Sequence, residues 1–213
     1  MVFQDERVIV PSLGRGYAAE ADAEPARRII EAARRMVGER GIEQSHVGDI
    51  AAAAGLSRGL VRYYFGSKDG LMLQVMEADA RDRLRLLHEH LEPAVSVDEL
   101  LDGLATTFGE FVHEDRGAHL LLQELGTLAV RRSAIRARRA QLRAEYRGAL
   151  AEILAAKQRD GVIAVRDDDP EGVAALLIAL GQGMASEVLA DPEWECGPAL
   201  AHALTAARHL LVR

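Results

Sequence analysis

The chain has 213 residues, 49% of them apolar and 28% charged, with a formal net charge of −7, a composition that excludes a disordered polymer and a wholly basic nucleic-acid coat. A single cysteine, Cys196, excludes an intrachain disulfide and any zinc site built on a C-x-x-C pair. Few aromatics beside abundant Ala, Leu and Arg favour helices over sheets.

Residues 1–23 carry Pro11, Gly14 and Gly16 without helical periodicity, which predicts a tail. Its first ten residues lack the basic region and apolar run of a secretory signal, and the longest apolar run, 173–181, is far short of a membrane span. The expectation is a cytoplasmic protein with no membrane partner. From Pro25 the pattern changes: Ala26, Ile29, Ile30, Ala33 and Val37 fall at helical spacing, with Gly41 just beyond them, predicting a first helix. A short periodic segment, Val47, Ile50, Ala51 and Ala54, stops at Gly55, and another starts at Arg58 after Ser57, a good N-cap type. Ser67 can cap a longer helix running to about Leu91 and ended by Pro93. Helices are further predicted over 96–114, 118–129, 132–160, 169–190 and 197–212; at most 162–165 is a brief extended piece. The fold class is all-α.

Charge is unevenly spread. Residues 24–70 carry a net +2, whereas the tail carries −2 and the remainder −7. Within the basic segment, Gly55-Leu56-Ser57-Arg58-Gly59 satisfies the G-x-S-x-G pattern of a hydrolase, which needs a strand leading into a strained turn. The preceding Asp49-Ile50-Ala51-Ala52-Ala53-Ala54 forms helices instead, so a serine hydrolase using Ser57 is the weakest alternative, behind a helical scaffold without a DNA target. The stronger reading is helix, tight turn and helix, with Ile50, Ala54, Leu56, Val61 and Phe65 inward and an outer face able to enter a major groove about 12 Å wide. Arg58 and Arg62, four residues apart on one face, suit guanine edges; solvated surface arginines are the bland alternative. Gly59 lets the backbone approach DNA or merely fills the helix start. Lys68, beside free backbone N–H groups, suits a phosphate, and Ser57 serves as a cap that can also touch one.

Residues 25–71 resemble the N-terminal domain of the TetR family of bacterial transcriptional regulators. The matching elements are Ile30-x-x-Ala33 through Gly41, Asp49-Ile50-Ala51, Ala54 through Gly59, and Tyr63-x-Phe65-x-Ser67-Lys68 with Leu71. Residues 123–192 are similar to the C-terminal domains of a BetI-type subgroup, a resemblance that carries no ligand. It implies a tail over 1–23, a helix-turn-helix domain over 24–70, and a helical effector-binding and dimerisation domain over 71–213. A ligand-responsive repressor is the expected function, binding double-stranded DNA at a palindromic operator as a homodimer, released by a small-molecule effector, with no catalytic residue, metal or cofactor. The family pattern also implies base or sugar contacts for Tyr63 and phosphate contacts for Tyr64 and position 46. There His46 replaces the common Thr and is a weaker cap than Ser45 beside it. Leu60-Val61-Arg62 replaces a common Thr-Leu-Tyr triplet, which implies a different base preference.

The middle helices would hold the effector. Polar or aromatic residues interrupt their apolar stretches at Thr106, Thr107, Phe108 and Phe111, then at His119, Gln123, Glu124 and Thr127, and later at Tyr146 and Gln182, as a mostly apolar pocket with a few polar contacts requires. On 169–190, Val173, Leu177, Leu180, Met184 and Val188 form a stripe, joined by Leu200, Leu204 and Leu211 on the last helix. The resemblance makes this an intersubunit bundle, while an intramolecular core fits the same stripe. In His88-Glu89-His90, positions i and i+2 point apart on a helix, so a solvated helix end is expected rather than a metal pair.

Overall fold

The computed structural model describes residues 24–110, 112 and 116–212; the tail and Phe111 lie outside the described residues. Its elements are α1 (Glu24–Gln44), α2 (Val47–Ala53), α3 (Arg58–Phe65), α4 (Lys68–Leu91), α5 (Val97–Gly109), α6 (Arg116–Arg131), α7 (Ser133–Arg159), a 3-10 turn (Arg166–Asp168), α8 (Pro170–Ala190) and α9 (Gly197–Leu211). There is no strand among the described residues. Segment 162–165 is a loop that buries Ile163 and Val165 and ties itself to the end of α9, Ala164 N–H donating to Leu211 O at 2.9 Å.

Side-chain caps start four of the helices. The hydroxyls of Ser57, Ser67 and Ser96 accept from the backbone N–H of Leu60, Gly70 and Glu99, and the Asp169 carboxylate accepts from Gly172. Each satisfies a donor the helix itself cannot, a contribution of about 1 kcal/mol. His46, like Arg132 before α7 and Cys196 before α9, occupies an N-cap position without a side-chain bond. Ser45 is not the substitute cap the sequence suggests, because it is fully buried and its hydroxyl donates back to Gly41 O at 2.7 Å. α1 is interrupted there, at Gly41, with φ 79° and ψ 168°.

Two main cores divide the chain along its length. The first gathers the inner faces of α1, α2 and α3 and the start of α4, and continues into Leu121, Leu125 and Ala129 of α6 and Ile135 and Leu142 of α7. The second joins Leu87 and Leu91 of α4 to Leu100 of α5, Leu154 of α7, Val173 of α8 and Leu211 of α9. α4 and α7 run through both. Lys157, buried on α7, closes the second core at the end of α4, where its ammonium donates to Glu92 O and Ala94 O at 2.5 and 2.6 Å.

The stripe predicted on α8 and α9 turns largely inward. Val173 and Leu211 are buried in the chain's own core, Leu177 and Leu204 pack against that core, and Met184, Val188 and Leu200 pack around Phe108 and Ala185. Leu180 is half-buried. Helical period alone cannot distinguish a face turned to one's own core from a face turned to a partner. What α8 leaves outside is a neighbouring strip of Gly172, Leu176, Ala179, Gly183 and Ala190. As a whole helix α8 is long and apolar enough to cross a membrane, with a window of mean hydropathy 1.7 of which 17% is buried, a property the short run at 173–181 conceals.

Candidate functional site

α2 ends in a Schellman turn. Gly55 N–H donates to Ala52 O and Leu56 N–H to Ala51 O, both at 2.9 Å, with Gly55 at φ 67°. A side chain would be strained there by the backbone angle and would also meet Arg28, whose Nη2 lies 2.8 Å from the position of a Cβ and donates to Ala54 O at 2.5 Å. Arg28 thereby pins the turn to α1. After two residues Ser57 starts α3, its Oγ accepting from Leu60 N–H at 3.2 Å. A helix precedes this serine where a nucleophile elbow needs a strand. Ser57→Ala is accordingly expected to cost about 1 kcal/mol in thermal or urea unfolding, with no change in the hydrolysis of simple esters by the purified protein.

α3 buries Val61 and Phe65 and exposes Arg58, Gly59, Arg62 and Tyr63, the last 62% exposed. The Arg58 side chain lies across α2, its Nε 3.1 Å from where a Cβ would stand on Gly48, so the absence of a side chain at 48 leaves it room. Nothing but the Ser57 hydroxyl stands within 4 Å of a Cβ on Gly59, which keeps that backbone open to an approaching surface. Tyr63 and Tyr64 meet edge to face at 5.1 Å, and Tyr64 is half-buried against the first core. His46 and Ser57 are exposed on the same motif. Lys68 is turned toward the protein: its Nζ donates to Glu43 O at 3.2 Å, and burial lowers its pKa against the opposing pull of Glu43 and Glu124. It ties the start of α4 to the end of α1, a role its place in the sequence does not reveal.

A cavity of about 400 Å³ lies among α4, α5, α6, α7 and α8, within the roughly 300–1,000 Å³ usual for small-molecule sites. It brings together Thr107, Phe108, His119, Gln123, Tyr146 and Gln182. Three sequence expectations fail here. Thr106 and Thr127 are not in the wall; both are exposed, their hydroxyls donating to Asp102 O at 2.9 Å and Gln123 O at 3.4 Å of their own helices. Glu124 faces the other way, accepting the Ile42 N–H at 2.5 Å through Oε2 and so joining α6 to the break in α1.

The wall also contains ionised groups the sequence reading missed. Asp79, 1% exposed, accepts from Arg83 Nε at 2.6 Å and Arg34 Nη2 at 3.1 Å, and Arg34 reaches Asp82 as well, at 2.9 Å. Burial lowers the Arg83 pKa against the pull of Asp79, and burial raises the Tyr146 phenol. Arg139, Arg143 and Arg147 follow at four-residue intervals along α7. That spacing shows in the sequence that the three share one helix face, though not that the face lines a cavity. At the rim, Arg143 donates to Gln182 Oε1 at 2.7 Å and Gln123 to Ser186 Oγ at 3.2 Å.

Residues 29–75 match the family described as bacterial regulatory proteins, tetR family. Over 78 residues, 36% of this chain, the sequence is 42% identical to the HTH-type transcriptional regulator BetI of Brucella anthropi, and the match spans 38% of that relative's length. A TetR-family transcriptional regulator from Rhodococcus sp. is 27% identical with a TM-score of 0.72, the alignment covering 87% of this chain and 98% of that one. The fold is also that of a transcriptional regulator from Saccharomonospora viridis solved in complex with choline, 23% identical, TM-score 0.70, covering 88% and 97% of the two chains.

Proposed function

We infer that this chain, a member of the TetR family of bacterial regulatory proteins, is a cytoplasmic, ligand-responsive repressor that binds a palindromic operator as a homodimer and leaves it when a small molecule fills the cavity. Residues 24–70 are the reading head and 71–213 the effector-binding and pairing body. The observation that carries this reading is the exposed face of α3, where Arg58 and Arg62 stand free of the core beside Gly59 and Tyr63. Arg58 and Arg62 read base edges, Tyr63 adds contacts to bases or sugars, and His46, Ser57 and Tyr64 hold phosphates.

α6 supplies the route between ligand and DNA. Its His119, Leu122 and Gln123 line the cavity, whereas Leu121, Leu125 and Ala129 belong to the core of the reading head and Glu124 grips the break in α1. A molecule that fits the cavity better with α6 displaced draws α1, and with it α3, away from the DNA-competent spacing; it can do so only through unequal affinity for the two forms. Pairing uses the outer strip of α8. Leu176 is 45% exposed and is flanked by Ala179 and Gly183, small residues that let a second copy's helix approach closely.

Gel retardation on the DNA beside the protein's own gene tests this directly. Binding is expected to fall at least tenfold between about 50 and 200 mM salt, as counterion release dictates. A half-site duplex should bind on the order of a hundredfold more weakly than the full palindrome, since one head reads only a few base pairs. No retardation of any genomic fragment at micromolar protein would remove the reading.

A further inference from the structure

We propose that the cavity takes an organic acid with an apolar body, its carboxylate held by Arg139 and Arg143. The proposal rests on the reading of the cavity as the effector site.

The wall is unbalanced in charge. Among the described residues it contains one carboxylate, Asp79, and four guanidiniums, those of Arg83, Arg139, Arg143 and Arg147. Asp79 is already engaged by Arg83 and by Arg34 from α1, and Glu171 stands 3.9 Å from Arg147. Among the described residues no carboxylate stands against Arg139 or Arg143; Arg143 has only the neutral Gln182 amide. Arg139 is half-buried, and its guanidinium loses basicity through desolvation and then through the like charge of Arg143. Arg139, half-buried beside the like charge of the exposed Arg143, is relieved by one anion shared between the two.

The rest of the wall sets the body of the ligand. Leu87, Leu104, Leu122, Leu142, Leu150 and Ile178 present hydrocarbon. A quaternary ammonium fits poorly: such cations are held by cages of aromatic rings, and among the described residues the wall offers Phe108 and Tyr146, with Asp79 already paired. The chemistry therefore differs from that of the Saccharomonospora viridis regulator with its choline. Arg139 also reaches the helix proposed to transmit the signal, its Nη2 lying 3.2 Å from where a Cβ would stand on Gly126 of α6. An acid that engages Arg139 acts next to the element that must move.

Isothermal titration of the full chain with three ligands of one chain length separates the alternatives: decanoate, decan-1-ol and decyltrimethylammonium. Decanoate is expected to bind about tenfold or more tightly than the alcohol, as a charge-assisted bond to guanidinium implies, and the ammonium not at all. In the R139Q/R143Q protein, decanoate should fall to the level of the alcohol while alcohol binding persists. If that variant does not fold, R139K/R143K, which keeps both charges, should retain the preference for the acid. Equal binding of acid and alcohol, tighter binding of the ammonium, or no binding of any of the three to the folded protein would overturn the proposal. Retardation of DNA without ligand reports on the regulator separately: a chain that shifts its operator yet ignores decanoate loses only the acid. One that binds decanoate but shifts no DNA loses only the regulator.

Discussion

Replacing Arg58 and Arg62 together by alanine is expected to weaken binding to the operator by about a hundredfold or more and to leave a complex no tighter than that with scrambled DNA. A bidentate arginine–guanine pair contributes about 1–3 kcal/mol of discrimination, and even the lower half of that range, taken twice, spans roughly two powers of ten in affinity. Both side chains are exposed on α3 and neither belongs to the core formed by Val61 and Phe65. Unfolding should therefore move by no more than about 0.5 kcal/mol, as for ordinary surface substitutions. Retardation on operator and scrambled duplexes at one fixed salt concentration, beside a urea melt, gives both numbers. Undiminished preference for the operator in the double variant would show that α3 is not the element that reads it.

The largest stability effect is expected at Asp79. Its carboxylate is the common partner of Arg83 and Arg34, and it is only 1% exposed. Asp79→Ala takes from the Arg83 guanidinium the carboxylate 2.6 Å away in a desolvated wall, and removal of one member of a buried pair costs about 3–5 kcal/mol. For a chain of this size that is a fall on the order of 10 °C in Tm. Arg34 suffers less, because Asp82 remains within 2.9 Å. The double variant D79A/R83M should recover part of the loss by removing the buried charge that Asp79 balanced, so the two changes are non-additive. A D79A protein that melts within a degree of the natural one would mean that water or another group already compensates Arg83.

The N-terminal motif was legible because its signals are local. The apolar period of α1, the Gly55 stop, and the Ser57 and Ser67 caps all act within one helical turn, and each stands in the structure where the sequence puts it. The fold class was legible for the same reason. Tertiary direction was not. Period 3.6 marks Val173 and Leu177 on α8, and Leu204 and Leu211 on α9, as apolar faces, but the choice between own core and partner depends on which helices lie across from them. Glu124 was misread as a pocket residue because its partner, the Ile42 N–H, is 82 residues away and is freed only by the break at Gly41. The arginines of α7 look like a solvated face in sequence, and only the approach of α4, α6 and α8 makes three of them the wall of a cavity.

The strip of Leu176, Ala179 and Gly183 on α8 adjoins the rim of that cavity, which Ala179, Gln182 and Ser186 help to form. Two chains paired along this strip would each roof part of the other's doorway, so pairing and the entry of a small molecule would share one border.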